Sequence, residues 1–282
     1  MKTWRGDIMK IAYSGIEGAF AHIAAKQIYP NEELKAYKGF REAYCSVVSG
    51  ECSAAVIPIE NSFAGEVGQV TDLMFSGELE IDEVYEMHIT QNLLGVPGAK
   101  ISDIKKVISH PQALGQCEGY IAEHDFETEA AVNTARAAAA VAKQNDVHTA
   151  AIASLETARL YGLDVIEADI NDSKDNTTRF AIFKKKEDIK KDGSEKDGFI
   201  LLFTVPNIAG GLAKALTIIG DYGFNMSILR SRPMKSLAWN YYFYVEAEGD
   251  VDGEYGKEML ARLSFWCESV KIAGRYKVQR SL

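Results

Sequence analysis

The sequence predicts an α/β protein made of two lobes of strand–helix units, followed by a smaller βαββαβ domain of the ferredoxin-like plan. Three observations lead there. From residue 10 to about 183, short apolar runs alternate with amphipathic stretches, the pattern of sheets covered by helices. A charged stretch, Lys184 to Gly198 (KKKEDIKKDGSEKDG), then breaks the pattern and reads as a linker by composition. Beyond it the periodicities run strand, helix, strand, strand, helix, strand.

The elements follow in order. Ile11-Ala-Tyr13 is a strand, Ser14-Gly-Ile-Glu-Gly18 its turn, and Ala19 to Ile28 a helix. The glycines let the backbone turn tightly, but the spacing is not GxGxxG. Leu34 to Tyr37 is a strand, and Phe40 to Val48 a helix with Phe40, Tyr44, Val47 and Val48 on one face. Ala54-Ala-Val-Ile57 is wholly apolar, hence a strand buried on both faces. It is expected to stop at Pro58 and release Glu60, Asn61 and Ser62 into a turn before a helix from about Glu66 to Phe75. In parallel sheets such carboxyl ends are where ligands bind; equally, Asn61 or Ser62 would suit as the cap of that helix.

Leu79 to Leu94 is a long extended stretch that can cross between lobes. A second set of units follows. Val107-Ile108 is a strand, Ser109-His-Pro111 its turn, and Gln112 to Ala122 a helix with Pro111 at its first position. Ser109 and His110 then stand at a helix N-terminus, where an anion is favoured. Asn133 caps a helix to Gln144; Thr149 to Ala153 is a strand, Leu155 to Tyr161 a helix and Asp164 to Ile166 a strand. Asp175-Asn-Thr-Thr-Arg-Phe180 enters the strand ending at Phe183, which returns to the first group. It offers an amide, two hydroxyls and a guanidinium able to clamp a carboxylate. In the last domain, Phe199 to Val205, Asn225 to Leu229, Trp239 to Ala247 and Val270 to Val278 are strands. Gly210 to Tyr222 and Tyr255 to Cys267 are the helices, and Arg230-Ser-Arg-Pro233 lies between the two middle strands.

Composition narrows the function. With 31 Lys+Arg against 40 Asp+Glu the net charge is -9, which argues against nucleic acid and anionic membrane as partners. No apolar run is long enough to span a bilayer, and Met1 to Lys10 lacks the apolar core of a signal peptide. Met9 also fits as a start, since the first strand follows it. Cys45, Cys52, Cys117 and Cys267 form no CxxC pair, so neither zinc nor a disulfide framework is indicated and the cytoplasm is the expected compartment. The pattern alone yields a two-lobed binder of a small dianion, enzyme or solute binder undecided.

Five stretches carry a family resemblance: Tyr13-Ser-Gly-Ile-Glu-Gly-Ala-Phe20, Ile57-Pro-Ile-Glu-Asn-Ser62, Ser109-His-Pro-Gln-Ala-Leu114 with Gln116-Cys117, Asn176-Thr-Thr-Arg-Phe180, and Arg230-Ser-Arg-Pro233. In order and spacing the chain resembles prephenate dehydratase in its monofunctional form. The resemblance implies a two-lobed, periplasmic-binding-protein-like catalytic domain over 9–185, a charged linker over 186–198 and a C-terminal ACT regulatory domain over 199–278. It implies loss of water and carbon dioxide from prephenate to give phenylpyruvate, on the route to phenylalanine, with no metal or organic cofactor. Arogenate in place of prephenate remains an alternative, as does a non-catalytic anion binder with an amino-acid sensor. Thr178 matches the catalytic threonine and Arg179 the carboxylate clamp. Glu60, Asn61, Ser62, Ser109, His110, Asn176 and Phe180 would bind substrate. Phenylalanine would bind the ACT domain near Gly210, Gly211, Leu212, Asn225, Ser231, Arg232 and Pro233, and the chain would form a homodimer or homotetramer. Departures stand at Ile16, Ala19 and Ala21, where the family carries a proline and hydroxyls, and at Arg230, where it carries an acid.

Overall fold

The computed structural model describes residues 8–189, 196–235, 239–278 and 281–282. These divide into two compact units. One holds 8–67, 86–180 and 281–282; the other holds 68–85 and the described residues of 181–278.

The first unit starts with β1 (Lys10–Ser14), α1 (Phe20–Ile28), β2 (Glu33–Tyr37), α2 (Phe40–Val48) and β3 (Ala54–Asn61). β1 lies between β2 and β3 and is parallel to both. Ala12, Ala55, Val56 and Ile57 are completely buried, which is why these strands are apolar throughout rather than alternating. β3 does not stop at Pro58. Its pairing with β1 ends at Val56, so the missing N–H is tolerated there, and the strand runs on to Asn61 beside the short β4 (Gly65–Glu66). Neither Asn61 nor Ser62 therefore caps a helix. The next helix, α3 (Gly68–Ser76), begins later than expected and belongs to the second unit. β5 (Glu80–His88) follows; the division between units falls after its Tyr85.

The first unit's second sheet contains β6 (Asn92–Gly95), β7 (Lys106–Ser109), β8 (Glu127–Ala130), β9 (Thr149–Ala153) and β10 (Asp164–Glu167), in the order β10-β6-β9-β7-β8. Between β7 and β8 the single helix expected over 112–122 is two, α4 (Pro111–Gln116) and α5 (Glu118–Glu123), broken at Cys117. α6 (Thr134–Gln144) starts at Asn133, whose side-chain oxygen accepts from Arg136 N at 2.7 Å, and α7 (Leu155–Tyr161) follows β9. β8 was not predicted. It is an edge strand of Glu-Thr-Glu-Ala, exposed throughout, so it carries no apolar signal. β11 (Thr177–Lys184) returns beside β3, as expected; Phe180 is its last residue in this unit.

The second unit's β12 (Gly198–Thr204), α8 (Gly211–Asp221), β13 (Asn225–Pro233), β14 (Tyr241–Glu248), α9 (Glu254–Trp266) and β15 (Ser269–Tyr276) give the expected βαββαβ order. The antiparallel sheet runs β13-β14-β12-β15. Phe199, Leu201 and Phe203 of β12 meet Ala215 and Ile219 of α8 and Met259 and Leu263 of α9 in one core. Arg230 to Pro233 do not connect two strands: they are the second half of β13, paired with Tyr241 to Tyr244. Of the expected linker, Lys186–Asp188 form a 3-10 turn and Gly198 already opens β12, while 190–195 lie outside the described residues. α3 packs on this unit's strands. Phe75 stacks on Tyr242 with ring centroids 4.1 Å apart, and Lys271 Nζ donates to Met74 O at 2.6 Å, at the helix end where a cation is favoured. Among the described residues no helix is long and apolar enough to cross a membrane.

Candidate active site

The end of β3 and the start of β11 form one polar knot inside the first unit. Asn61 is its centre. Its side-chain oxygen accepts from the N–H groups of Phe63 (3.1 Å) and Ala64 (2.9 Å), which fixes the amide's orientation. Its Nδ2 therefore faces β11, reaching Asn176 Oδ1 (2.9 Å), Thr177 O (3.1 Å) and Thr178 Oγ1 (3.0 Å). Asn176 Nδ2 donates to Ile89 O at 3.2 Å, so this second amide is oriented too. Ser62 locks the entry to β11: its hydroxyl donates to Asp175 O at 3.0 Å and accepts from Thr177 N at 2.9 Å. Ser62 thus positions the motif with the hydroxyl that the sequence reading gave to substrate. Asn61, Asn176 and Thr178 are all buried.

Thr178 and Arg179 do not point to the same side of β11. Successive residues of a strand point to opposite faces. Thr178 meets Asn61, whereas Arg179 Nη1 donates to Glu60 Oε2 at 3.1 Å, with both of those side chains less than a fifth exposed. Adjacency in sequence hid this separation. Phe180, expected to touch substrate, is a core residue at 1% exposure. Ser109 is likewise turned inward, fully buried, with its hydroxyl on Ile152 O at 2.5 Å. His110 caps α4, its Nδ1 accepting from Gln112 N at 3.2 Å, and burial holds its pKa below the ordinary histidine value. Among the described residues, no hydrogen bond of Ser109 or His110 joins the knot.

Gln116 does join it, donating from Nε2 to Asn176 Oδ1 at 3.3 Å. The sequence carried a signal, the Gln116-Cys117 pair within the third matching stretch, but gave the glutamine no role. Cys117 is no candidate nucleophile: burial, with the Asp172 charge adding to it, pushes its thiol up to about 12. A cavity of about 350 Å³ opens beside the knot, lined by Ser62, Phe63, Gln116, Asn171, Asp172, Ser173, Asp175 and Asn176. No group of three or more His, Cys, Asp or Glu able to hold a metal ion occurs among the described residues.

A family model described as prephenate dehydratase matches residues 11–188. The chain belongs to the prephenate dehydratase family. Members are hydro-lyases, and the chain is a dehydratase. It is 32% identical to the prephenate dehydratase of Lactococcus lactis subsp. cremoris, over 96% of this chain and 98% of that one. It is 33% identical to arogenate dehydratase 2 of Petunia hybrida, over 96% of this chain and 72% of that protein. Two solved structures superpose with a TM-score of 0.87. The prephenate dehydratase of Arthrobacter aurescens in complex with L-Phe is 27% identical, covering 97% of this chain and 92% of that one. A protein described as GqqA, a novel type of quorum-quenching acylase, is 29% identical, covering 96% and 98%.

The second unit of this dehydratase has its own cavity, of about 430 Å³, lined by Phe75, residues 204–208, Leu212, Met234, residues 239–241, Phe243, Glu268 and Ser269. Of the residues expected to hold an effector, Leu212 lines it. Gly211 opens α8 where a side chain would strike Pro206 O at 2.4 Å, and Gly210, with φ of 78°, makes the turn before it. Asn225 and Ser231 are exposed on β13, Pro233 ends that strand, and none of them lines the cavity. Arg232 donates from Nε to Asp72 Oδ1 at 3.1 Å and to Tyr242 Oη at 3.0 Å, which ties it to α3. Arg230 lies over the Tyr244 ring at 5.6 Å.

Proposed function

We propose that the chain converts prephenate to phenylpyruvate, with Thr178 as the hydrogen-bond donor to the departing ring hydroxyl. The observation that carries this reading is the Asn61 Nδ2 contact to Thr178 Oγ1 at 3.0 Å. A hydroxyl has one proton to give and two lone pairs to receive. With Asn61 donating to the oxygen, the proton is left to point elsewhere, towards an oxygen that gains charge as its carbon–oxygen bond breaks. A threonine is too weak an acid to give up that proton near neutral pH; it works as a preorganised donor that binds the charge as it develops. Aromatisation of the ring supplies the driving force. Thr178→Ala is expected to lose on the order of a hundredfold to a thousandfold in kcat, with substrate binding retained. A phenylpyruvate assay that finds parent-like turnover in this variant defeats the assignment.

Arg179 is assigned to the opposite face of β11, where with Glu60 it holds the strand pair and its charge acts on substrate only at a distance. Asn176 and Gln116, on the wall of the 350 Å³ cavity, are the amides offered to the substrate there. Asp172 and Asp175 on the same wall favour the alternative substrate, since arogenate carries an ammonium where prephenate carries a keto group. Running the assay with both compounds decides between them: a higher kcat/KM for arogenate that falls in Asp172→Asn identifies arogenate.

Residues 199–278, the larger part of the second unit, are assigned as the ACT regulatory domain and 9–185 as the catalytic domain, in a cytoplasmic homodimer or homotetramer. L-phenylalanine is the proposed effector and the 430 Å³ cavity its proposed place, with Leu212 and Phe243 against the ring. Saturating phenylalanine is expected to raise the melting temperature and lower turnover; if it moves neither, the regulatory assignment falls.

A further inference from the structure

The knot around Asn61 has a fourth amide behind it. Gln91, between β5 and β6, is 2% exposed, and its Nε2 donates to Gln116 Oε1 at 3.1 Å. Gln116 Nε2 donates in turn to Asn176 Oδ1, the same oxygen that receives Asn61. The direction of every amide in this series is forced. Asn61 is oriented by two backbone N–H groups and Asn176 by Ile89 O, so Asn176 Oδ1 must be the acceptor. Gln116 must then present its NH2 to Asn176 and its oxygen to Gln91, and Gln91 must donate. The Gln91 backbone is held in place from both sides, its N–H on Asn171 Oδ1 at 2.6 Å and its carbonyl receiving Ile170 N at 2.9 Å.

This arrangement leaves Gln91 Oε1 buried and without a hydrogen-bond partner among the described residues. An apolar residue of that size would strand no acceptor at this position. What glutamine supplies and an apolar residue does not is a directed donor to Gln116. Were Gln116 to turn over, its oxygen would face Asn176 Oδ1 and drive that amide out of line. Asn61, and with it the contact on Thr178, would follow.

We infer that Gln91 is a positioning residue for the dehydration, holding Gln116 in the one orientation that keeps the Asn176–Asn61–Thr178 series aligned. The inference rests on the role proposed above for Thr178.

The test is kcat and KM of the full chain as functions of pH for Gln91→Glu, Gln91→Leu, Thr178→Ala and the parent, with melting temperatures alongside. A carboxyl at 91 donates to Gln116 when protonated and only accepts when ionised, and burial raises the pH at which it ionises. Gln91→Glu is therefore expected to approach parent kcat in acid and to lose on the order of tenfold or more as pH rises, with KM little changed. Gln91→Leu, which cannot donate, is expected to be slow by a similar factor at every pH while melting near the parent. A merely structural role would move melting and leave the pH profile alone. Parent-like kcat in Gln91→Leu, or a Gln91→Glu profile that matches the parent, overturns the inference while leaving Thr178 in place. Parent-like kcat in Thr178→Ala removes the proposed role of Thr178 itself, and the relay with it.

Discussion

The two units hold their key polar groups by different means. In the first, Asn61, Asn176, Gln116, Gln91 and Thr178 form a neutral web of amides and a hydroxyl. In the second, Asp72 binds Arg232 and Tyr242 and has Lys235 at 2.9 Å, while Asp82 binds Lys184 and Lys196. Neutral hydrogen bonds are short-ranged and directional, and their strength does not change with pH. They suit a group that must aim one proton. Ion pairs tolerate misalignment and respond to charge and salt, which suits contacts that hold a helix on a sheet without aiming a proton. Lys235 illustrates this: a largely exposed lysine, it sets its charge 2.9 Å from Asp72 Oδ2.

The largest expected effect comes from removing the centre of the neutral web. Asn61→Ala strips five contacts at once: two accepted N–H groups and three groups reached by Nδ2. Buried partners left unmade cost about 1–3 kcal/mol each where no water replaces them, so a loss of roughly 2–4 kcal/mol in stability is expected. kcat should fall with it, because Thr178 loses its aim. Asn61→Asp sharpens the comparison. It keeps the acceptor for Phe63 and Ala64 but presents an acceptor to Asn176 and Thr178, so it should cost more turnover than stability. Denaturant midpoints and kcat measured together separate the two, and equal loss in both properties for Asn61→Asp would show that the web has no directional role.

An acid titration separates the units themselves. His22 and His110 of the first unit are both held below the ordinary histidine range, by burial before all else. Their Nδ1 atoms accept from Gly18 N and Gln112 N, contacts a proton would destroy. A lowered histidine binds its proton in the unfolded chain first, so stability is lost as pH falls below about 6.5 and on towards the folded value. Asp72 and Asp82 of the second unit behave otherwise. Burial pushes both up, but their lysine, tyrosine and arginine partners outweigh it and the net shift is downward. A lowered carboxyl contributes stability that is fully present above about pH 4 and is lost only as pH falls below that, down through the folded value. Hydrogen exchange, corrected for its intrinsic pH dependence, should show residues 10–67 losing protection at higher pH than β12–β15. The opposite order would mean that these pairs do not set acid stability.

The same contrast explains what the sequence could and could not tell. Parallel strands such as Ala54–Ile57 are legible because burial on both faces demands unbroken apolar residues, and the helices are legible from their 3.6 period. The site motifs are legible as stretches. Which side chain faces which is not, because that depends on the pleat and on partners far away in the chain. Arg179 looked like the neighbour of Thr178 and is its opposite; Ser109 looked available and is spent on Ile152. Pro58 looked like a strand end, since its fit depends on pairing that has already lapsed at Val56. Gln91 gives no local signal at all, as its meaning comes from residues 25 positions away at Gln116. α3 reads as one more helix of the first domain, and contacts far along the chain, Phe75 on Tyr242, Asp72 on Arg232 and Met74 on Lys271, assign it to the second unit.

The smallest expected effect tests whether the ionic joint is as tolerant as its chemistry suggests. Tyr242 Oη donates to Asp72 Oδ1 at 2.7 Å and receives Arg232 Nε at 3.0 Å, while its ring stacks on Phe75 at 9° between planes. Tyr242→Phe removes the hydroxyl and keeps the stack. Arg232 Nε still has Asp72 Oδ1 at 3.1 Å, so neither charge is left alone. Two hydrogen bonds are lost while the charges keep each other, so the loss should be about 1–2 kcal/mol, with turnover unchanged in the absence of phenylalanine. A variant pairing Tyr242→Phe with Asp72→Asn should lose less than the sum of the two single changes, since both act on one contact. Additive losses, or a fall of several kcal/mol from the hydroxyl alone, would mean that the second unit depends on aimed bonds as strictly as the first.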